Sequence, residues 1–291
     1  MSHIFTTGIG TGTKTKPYKV TRDWITSKVI SGLEGLPLYS EPATTHRASM
    51  FSVCPRQSVI RTRESYTSHQ TASSTMYTSI GNVIHDLIQT SLFRSGLLLW
   101  KEYKAEMTVG NTKFTGSCDA IIIDPITYDL SVIDIKTTGA IPSKPKVSYQ
   151  KQIAFYGLLL GIRSMNILYV SRNVGMPEPK IKNFTVDESY IEEVALDMAV
   201  TACLQVNELP NRLKTKSSCT YCPLISRCWN DVMIYEPKSL TESTVRNSEL
   251  VSQRILDTMK TRRKKTIHKI LKYSNNNIDL LEKHYSIILN K

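Results

Sequence analysis

One short run limits what this chain can fold into: Ser131-Val-Ile-Asp-Ile-Lys-Thr-Thr138, preceded by Thr115-Gly-Ser-Cys-Asp-Ala-Ile-Ile-Ile-Asp124. Val132, Ile133 and Ile135 mark a strand inside a core, and Ile121, Ile122 and Ile123 mark the strand before it. Strand side chains alternate faces, so Asp134 and Lys136 point the same way. Buried charge is costly unless it is paired or binds metal, so an acid and a lysine in such a strand need compensation. Asp119 on the neighbouring strand adds a second carboxylate. A surface hairpin with an ion pair is the bland alternative, and the uniform Ile and Val flanks disfavour it. Two acids and a lysine at the end of a small sheet are what is needed to hold Mg²⁺ and polarise a phosphate.

The rest of the composition sets wide limits. The 291 residues, 41% of them hydrophobic, can build one large domain or one domain with appendages. The longest apolar stretch, 153–162, is too short to span a bilayer. No signal-peptide pattern opens the chain, so the expectation is a soluble, cytoplasmic protein. A net charge of +12 is compatible with a nucleic-acid partner. In an intracellular chain, clustered cysteines argue for metal rather than disulfides.

Taken in order, residues 1–20 have little to bury, and 24–33 have helical spacing. Pro55 opens another helix, to which Arg56, Arg61 and Arg63 give a basic edge. The Ser/Thr-rich stretch 65–78 reads as a loop, and 79–93 as a helix carrying His85 beside its apolar stripe. Strands are expected over 106–109, 113–123 and 130–136. A helix with Tyr149, Gln152 and Tyr156 follows over 147–161. Strands at 166–171 and 180–186 and a helix over 187–207 complete the pattern. From 239 the chain is polar and helical in period, with Arg262, Arg263, Lys264 and Lys265 together and Asn275, Asn276 and Asn277 splitting it. The order predicts an α/β (α+β) fold with a mixed central sheet flanked by helices. The boundaries read as an N-terminal extension (1–45), a central domain (46–235) and a basic helical C-terminal extension (236–291).

The motifs extend beyond the two strands. Gly81-x-x-x-His85 precedes the acids on a helix, and Tyr149-x-x-Gln152-x-x-x-Tyr156 follows them on another. This ordered set, spanning about residues 50–230, resembles the RecB-type nucleases of the PD-(D/E)XK superfamily, with their restriction-endonuclease-like fold. The resemblance implies a metal-binding histidine at His85, metal-binding acids at Asp119 and Asp134, and a catalytic lysine at Lys136. It sets Gln152 and Tyr156, with Tyr149 beside them, along the site and the nucleic-acid strand. Glu106 matches an acid on the preceding strand, with Glu102 competing for the role. The backbone carbonyl of Ile135 is a further candidate ligand. The aspartates suit Mg²⁺, and the histidine makes Mn²⁺ a good alternative. Alone, His85 would more often be a structural histidine, and Gln152 and Tyr156 an ordinary helix face.

Cys219-x-x-Cys222-x5-Cys228 supplies three thiolates, and Cys54 before Pro55 is the candidate fourth. Cys118 and Cys203 read as small core residues. Spacing alone admits zinc or an iron–sulfur cluster. One cysteine before the nuclease motifs and three after them is similar to the iron–sulfur branch of these nucleases, which includes CRISPR-associated exonucleases and the AddB nuclease domain. That implies a [4Fe–4S] cluster joining the two ends of the domain.

The resemblance implies a metal-dependent deoxyribonuclease, an exonuclease acting on single-stranded DNA ends in recombination, repair or phage- or CRISPR-related processing. If phage-encoded, it would work in the host cytoplasm. Arg56, Arg61 and Arg63, with Tyr149, Gln152 and Tyr156, are the candidate nucleic-acid contacts, since single-strand grooves combine basic tracks with aromatic platforms. No Walker-type loop is present, so unwinding would need a helicase or recombination partner. The rival readings are a single-strand or structure-specific endonuclease on the same site, and a catalytically silent nucleic-acid-binding scaffold. The complete acid–acid–lysine set disfavours the scaffold.

Overall fold

A computed structural model describes residues 22–34, 38–68, 71–173, 180–205, 208–213, 219, 222–230, 240–273 and 282. In chain order the elements are α1 (Arg22–Leu33), β1 (Leu38–Ser40), β2 (His46–Arg47), α2 (Ala48–Phe51), α3 (Pro55–Arg63), β3 (Tyr66–Ser68) and α4 (Ala72–Arg94). Then come β4 (Leu98–Val109), β5 (Thr112–Ile123), β6 (Leu130–Thr138), α5 (Val147–Leu160), β7 (Ser164–Ser171) and β8 (Ile181–Thr185). The last are α6 (Ser189–Cys203), α7 (Ile225–Asn230), α8 (Glu242–Asp257) and α9 (Met259–Tyr273).

The central sheet runs β2-β5-β6-β7-β8, with β4 also on β5. It is mixed: β2 on β5 and β6 on β7 are parallel, and the other pairs are antiparallel. Helices cover both faces. On one, Ile84, Ile88 and Leu92 of α4 pack against Leu98, Ala120, Ile133, Ile135 and Val170. On the other, the main core joins the sheet to α5, α6 and the two last helices through Phe114, Val132, Ile153, Phe155, Met198, Ile255 and Ile267. Among the described residues no helix is long and apolar enough to cross a membrane.

The strand expected over 106–109 begins eight residues earlier, as β4 (Leu98–Val109), and two further stretches differ from the sequence reading. The Ser/Thr-rich 65–78 segment contains β3 and the first turns of α4 instead of a loop. Thr71 caps the helix by accepting from the Ser74 N–H at 3.2 Å. Thr78 and Ser79 donate to carbonyls one turn earlier, and Thr75 donates to the Thr71 carbonyl and, at 2.9 Å, to the Leu33 carbonyl of α1. The C-terminal region past 236 does not stand apart: Ile255, Met259, Ile267 and Ile270 are buried in the main core. Thr266 Oγ1 donates to the Leu160 carbonyl at 3.0 Å, tying α9 to the end of α5. Gly161 ends α5 at φ +72, and a Cβ there would strike the Met259 carbonyl and the Arg263 nitrogen. Glycine satisfies both the left-handed backbone and the close approach. The helix break falls at Thr258; the expected break at 275–277 lies outside the described residues, as do residues 1–20.

His46 anchors β2 beneath the core, its Nδ1 2.9 Å from Ser58 Oγ and its ring against Phe51 and Phe114. Burial, helped by the Arg63 charge, pulls its pKa down from 6.5 to about 4. Between those values the unfolded chain binds the extra proton, so stability should fall as pH drops from 6.5 towards 4. The full loss is on the order of 3 kcal/mol. The melting-temperature gap between the wild type and His46→Asn should therefore narrow from pH 7 to pH 5; a constant gap would refute this account.

Candidate active site

The site forms where a ladder ends. β5 and β6 pair from Ile123↔Leu130 to Ala120↔Ile133. Beyond that β5 continues against β4 and β6 against β7. At the fork the Ile135 N–H donates to Asp119 Oδ2 at 2.5 Å. A side-chain carboxylate takes the bond a strand carbonyl would have accepted.

β4 and β5 also change phase here. Trp100 and Tyr103 are three residues apart yet both pack on the main core, their rings 5.3 Å apart; Cys118 and Ile121 behave likewise. Regular alternation forbids this. The cause lies at Glu102, whose φ of +51 is left-handed for a non-glycine residue in a strand. Such a backbone stores about 1–3 kcal/mol and persists only where its surroundings hold it. Gln89 Nε2 supplies part of that hold, donating to Glu102 Oε1 at 2.8 Å and to the Asp119 carbonyl at 2.9 Å. Ser117 Oγ lies 3.4 Å from the other carboxylate oxygen.

His85, one turn before Gln89 on α4, completes the group. Its Nδ1 is 3.6 Å from Asp119 Oδ1. Ligand atoms of His85, Glu102 and Asp119 all lie within 4.8 Å of one another. Burial alone would lower the His85 pKa; the Asp119 carboxylate beside it outweighs burial and raises it. An imidazole and two carboxylates are a donor set that Mg²⁺ or Mn²⁺ accepts.

Asp134 and Lys136 share the face towards α5. Asp134 is 1% exposed, and burial pushes its carboxyl up, against the pull of the lysine. Lys136 Nζ sits 2.7 Å from Asp134 Oδ2 and donates to Gln152 Oε1 at 3.2 Å. It also stands over the Tyr149 ring, 4.8 Å from the centroid. Burial works against the lysine's charge, and the carboxylates of Asp134 and Asp119 more than offset it, so its pKa is raised. Gln152 Nε2 donates onward to the Tyr156 hydroxyl at 2.8 Å, one helical turn away. The Tyr156 ring is seated by Gly116, where an added Cβ would come within 2.6 Å of it.

Several expected residues fall elsewhere. Glu106 is exposed and ion-paired with Lys113 at 2.7 Å. It lies four strand residues from Glu102, roughly 13 Å along β4. Glu102, the competing candidate, is the acid that joins the site. Arg56 cannot contact nucleic acid: it is 1% exposed and its Nη1 donates to the Pro210 carbonyl at 2.9 Å. Arg63 donates to the carbonyls of Glu208 and Gln205, and Arg61 stacks over Tyr66. Arg56 and Arg63 thus tie Gln205, Glu208 and Pro210 to α3. Tyr156 is 4% exposed, so it offers no stacking face. Gln89 was missed, although its place at i+4 from His85 put it on the same helix face.

Cys54, Cys219, Cys222 and Cys228 line one pocket with Ile60, Leu224 and Trp229. Cys54 caps α3, its sulfur accepting from the Gln57 N–H at 3.4 Å. Burial raises its pKa; the Gln57 N–H lowers it, and the other three cysteines raise it further. Four thiols in one pocket are a donor set suited to zinc or an iron–sulfur cluster. Cys118 is fully buried beside Asp119 and Cys203 is half-buried on α6.

Residues 90–229 match the PD-(D/E)XK nuclease superfamily. That stretch, a little under half of the chain, is thus similar to a superfamily whose members usually use Mg²⁺ or Mn²⁺. Similar solved structures include SSO0001, at 19% identity and a TM-score of 0.42, covering 69% of this chain and 91% of that one. They also include the alkaline exonuclease LHK-Exo from Laribacter hongkongensis, at 13% identity and a TM-score of 0.33, covering 60% and 90%. No curated protein matches the sequence.

If Glu102 rather than Glu106 binds the ion, Mn²⁺ affinity by titration calorimetry should fall about 100-fold in Glu102→Gln and stay unchanged in Glu106→Gln. Gln89→Leu should cost about 10–100-fold by releasing both carboxylate strands. The opposite ranking of the two glutamates would restore Glu106.

Proposed function

We propose that this chain is a metal-dependent DNA exonuclease that hydrolyses phosphodiester bonds from single-stranded ends. The observation that carries it is the meeting of Asp119, Asp134 and Lys136 at the fork of β5 and β6, with His85 and Glu102 beside them. His85, Glu102, Asp119 and Asp134, with the carbonyl of Ile135, are the residues that would hold Mg²⁺ or Mn²⁺. The ion, when bound, supplies an activated water and charge stabilisation at the phosphate.

The chain's own contributions follow from its contacts. Lys136 is kept charged by two carboxylates and fixed by Gln152 and the Tyr149 ring. A cation held so firmly offsets negative charge gained by a phosphate in the transition state without reorganising first. Gln152 and Tyr156 act as positioning residues for it. Asp119 joins the donor group to the β6 backbone, so the ligands on α4 and β5 stay in register with the lysine on β6.

The preference for DNA and for single-stranded ends rests on the resemblance of the ordered motifs. The four cysteines we assign to a [4Fe–4S] cluster, which would fasten α3 to the segment around α7; their shared pocket supports this, and zinc is the alternative.

End-labelled linear and circular single-stranded DNA, given to anaerobically purified protein with Mg²⁺ or Mn²⁺, test the proposal. Digestion of linear DNA alone, with at least a 100-fold loss in Lys136→Ala, is expected. Cutting of circles would replace the exonuclease by an endonuclease, and binding without cutting would replace both by a scaffold. Iron, sulfide and zinc analysis of the same preparation decides the cysteine ligand: about four irons and four sulfides per chain are expected for [4Fe–4S].

A further inference from the structure

A groove of about 760 Å³ adjoins the site and includes a residue from the C-terminal helix. Its floor is made of small residues, Ala48, Ala105 and Gly116, with the hydroxyl-bearing Ser49, Thr115 and Ser117 among them. Arg47, Lys104 and Lys269 line it and are exposed. The acid at its rim, Glu106, is already paired with Lys113. The lining therefore carries three cations against one neutralised carboxylate. A floor low in side-chain bulk, with hydroxyl donors and cationic walls, fits a chain of phosphodiesters better than a protein or an apolar ligand.

The groove connects to the proposed catalytic centre at two points. Ser117 lines it and reaches Glu102, and Tyr156 lines it and is joined through Gln152 to Lys136. Lys269 is set by its Nζ lying 4.5 Å over the Tyr103 ring, and the helix that carries it is fixed by Thr266 and by the Gly161 contact.

We infer that this groove carries the single-stranded DNA backbone next to the bond being cut, with Arg47, Lys104 and Lys269 as its phosphate contacts. The inference rests on the nuclease reading above and moves the nucleic-acid track from the arginines of α3 to the β4–β5–α9 face. It also makes the C-terminal helix pair part of the substrate site.

The test uses Lys104→Met and Lys269→Met, which keep the aliphatic stems, singly and together in the full-length protein. Binding of a fluorescent 20-nucleotide single strand is measured against salt with metal chelated, so that it does not depend on cleavage. Each lysine that contacts phosphate should lower the slope of log K against log[salt] by about 0.7, and the pair by about 1.4. Lys264→Met with Lys265→Met, equally charged but outside the groove, should leave the slope unchanged. In the cleavage assay the groove pair should raise KM for the 20-mer with little change in kcat. Hydrolysis of thymidine 5′-p-nitrophenyl phosphate, too small to fill the groove, should be unaffected. An unchanged slope in the groove pair, or an equal fall in the Lys264 and Lys265 control, overturns the groove. A wild type that hydrolyses neither the small diester nor the 20-mer sinks the nuclease reading instead, while the slopes still decide whether DNA lies in the groove.

Discussion

The bond from the Ile135 N–H to the Asp119 carboxylate is the constraint on which the site depends. Two strands that stayed paired would leave no space between them; two that simply parted would leave orphaned amides. By accepting the amide at the first unpaired position, Asp119 lets β5 and β6 diverge without that penalty. The same carboxylate faces His85 from its other oxygen. Asp134, almost completely buried on the next strand, finds its compensation in Lys136, as a buried charge must. Structure and chemistry thus make the same demand on these side chains.

Around that fork the two helix layers have different duties. α4 brings His85 and Gln89 to the donor group, and α5 brings Gln152, Tyr156 and Tyr149 to the lysine. Each set comes from i, i+3 or i+4 spacing on one helix, so a single rigid element fixes several groups at once. The strained residue, Glu102, lies in a strand between them, and its left-handed backbone re-aims one carboxylate by shifting the phase of the strand that carries it.

What was legible in the sequence follows from these geometries. Asp134, Lys136 and His85 sit on elements whose periodicity survives in the fold and Asp119 at the phase change in β5, and their order and apolar context in the sequence point to the one place where the structure brings them together. The choice between Glu102 and Glu106 was not legible, because the strand reads as starting at Glu106, whereas it starts at Leu98 and a left-handed φ of +51 turns Glu102 into the site. Arg56 looked like surface because arginine usually is; its burial depends on a carbonyl 154 positions away. The Ser/Thr run hid a helix because its hydroxyls bond back into the preceding turn, a pattern that composition does not distinguish from a loop. Lys269 gave no local signal at all, since its place is set by packing of α9 on α5.

That packing has a consequence for how the molecule is made. Every donor in the fork is encoded before residue 153, yet the face of the sheet bearing Tyr103, Met107 and Phe114 shares its core with Ile255, Met259, Ile267 and Ile270. During synthesis from the N-terminus, that face stays incompletely covered until the ninth helix has left the ribosome. Closure of the core beneath the fork thus waits on α8 and α9, two helices made well after the fork's own residues.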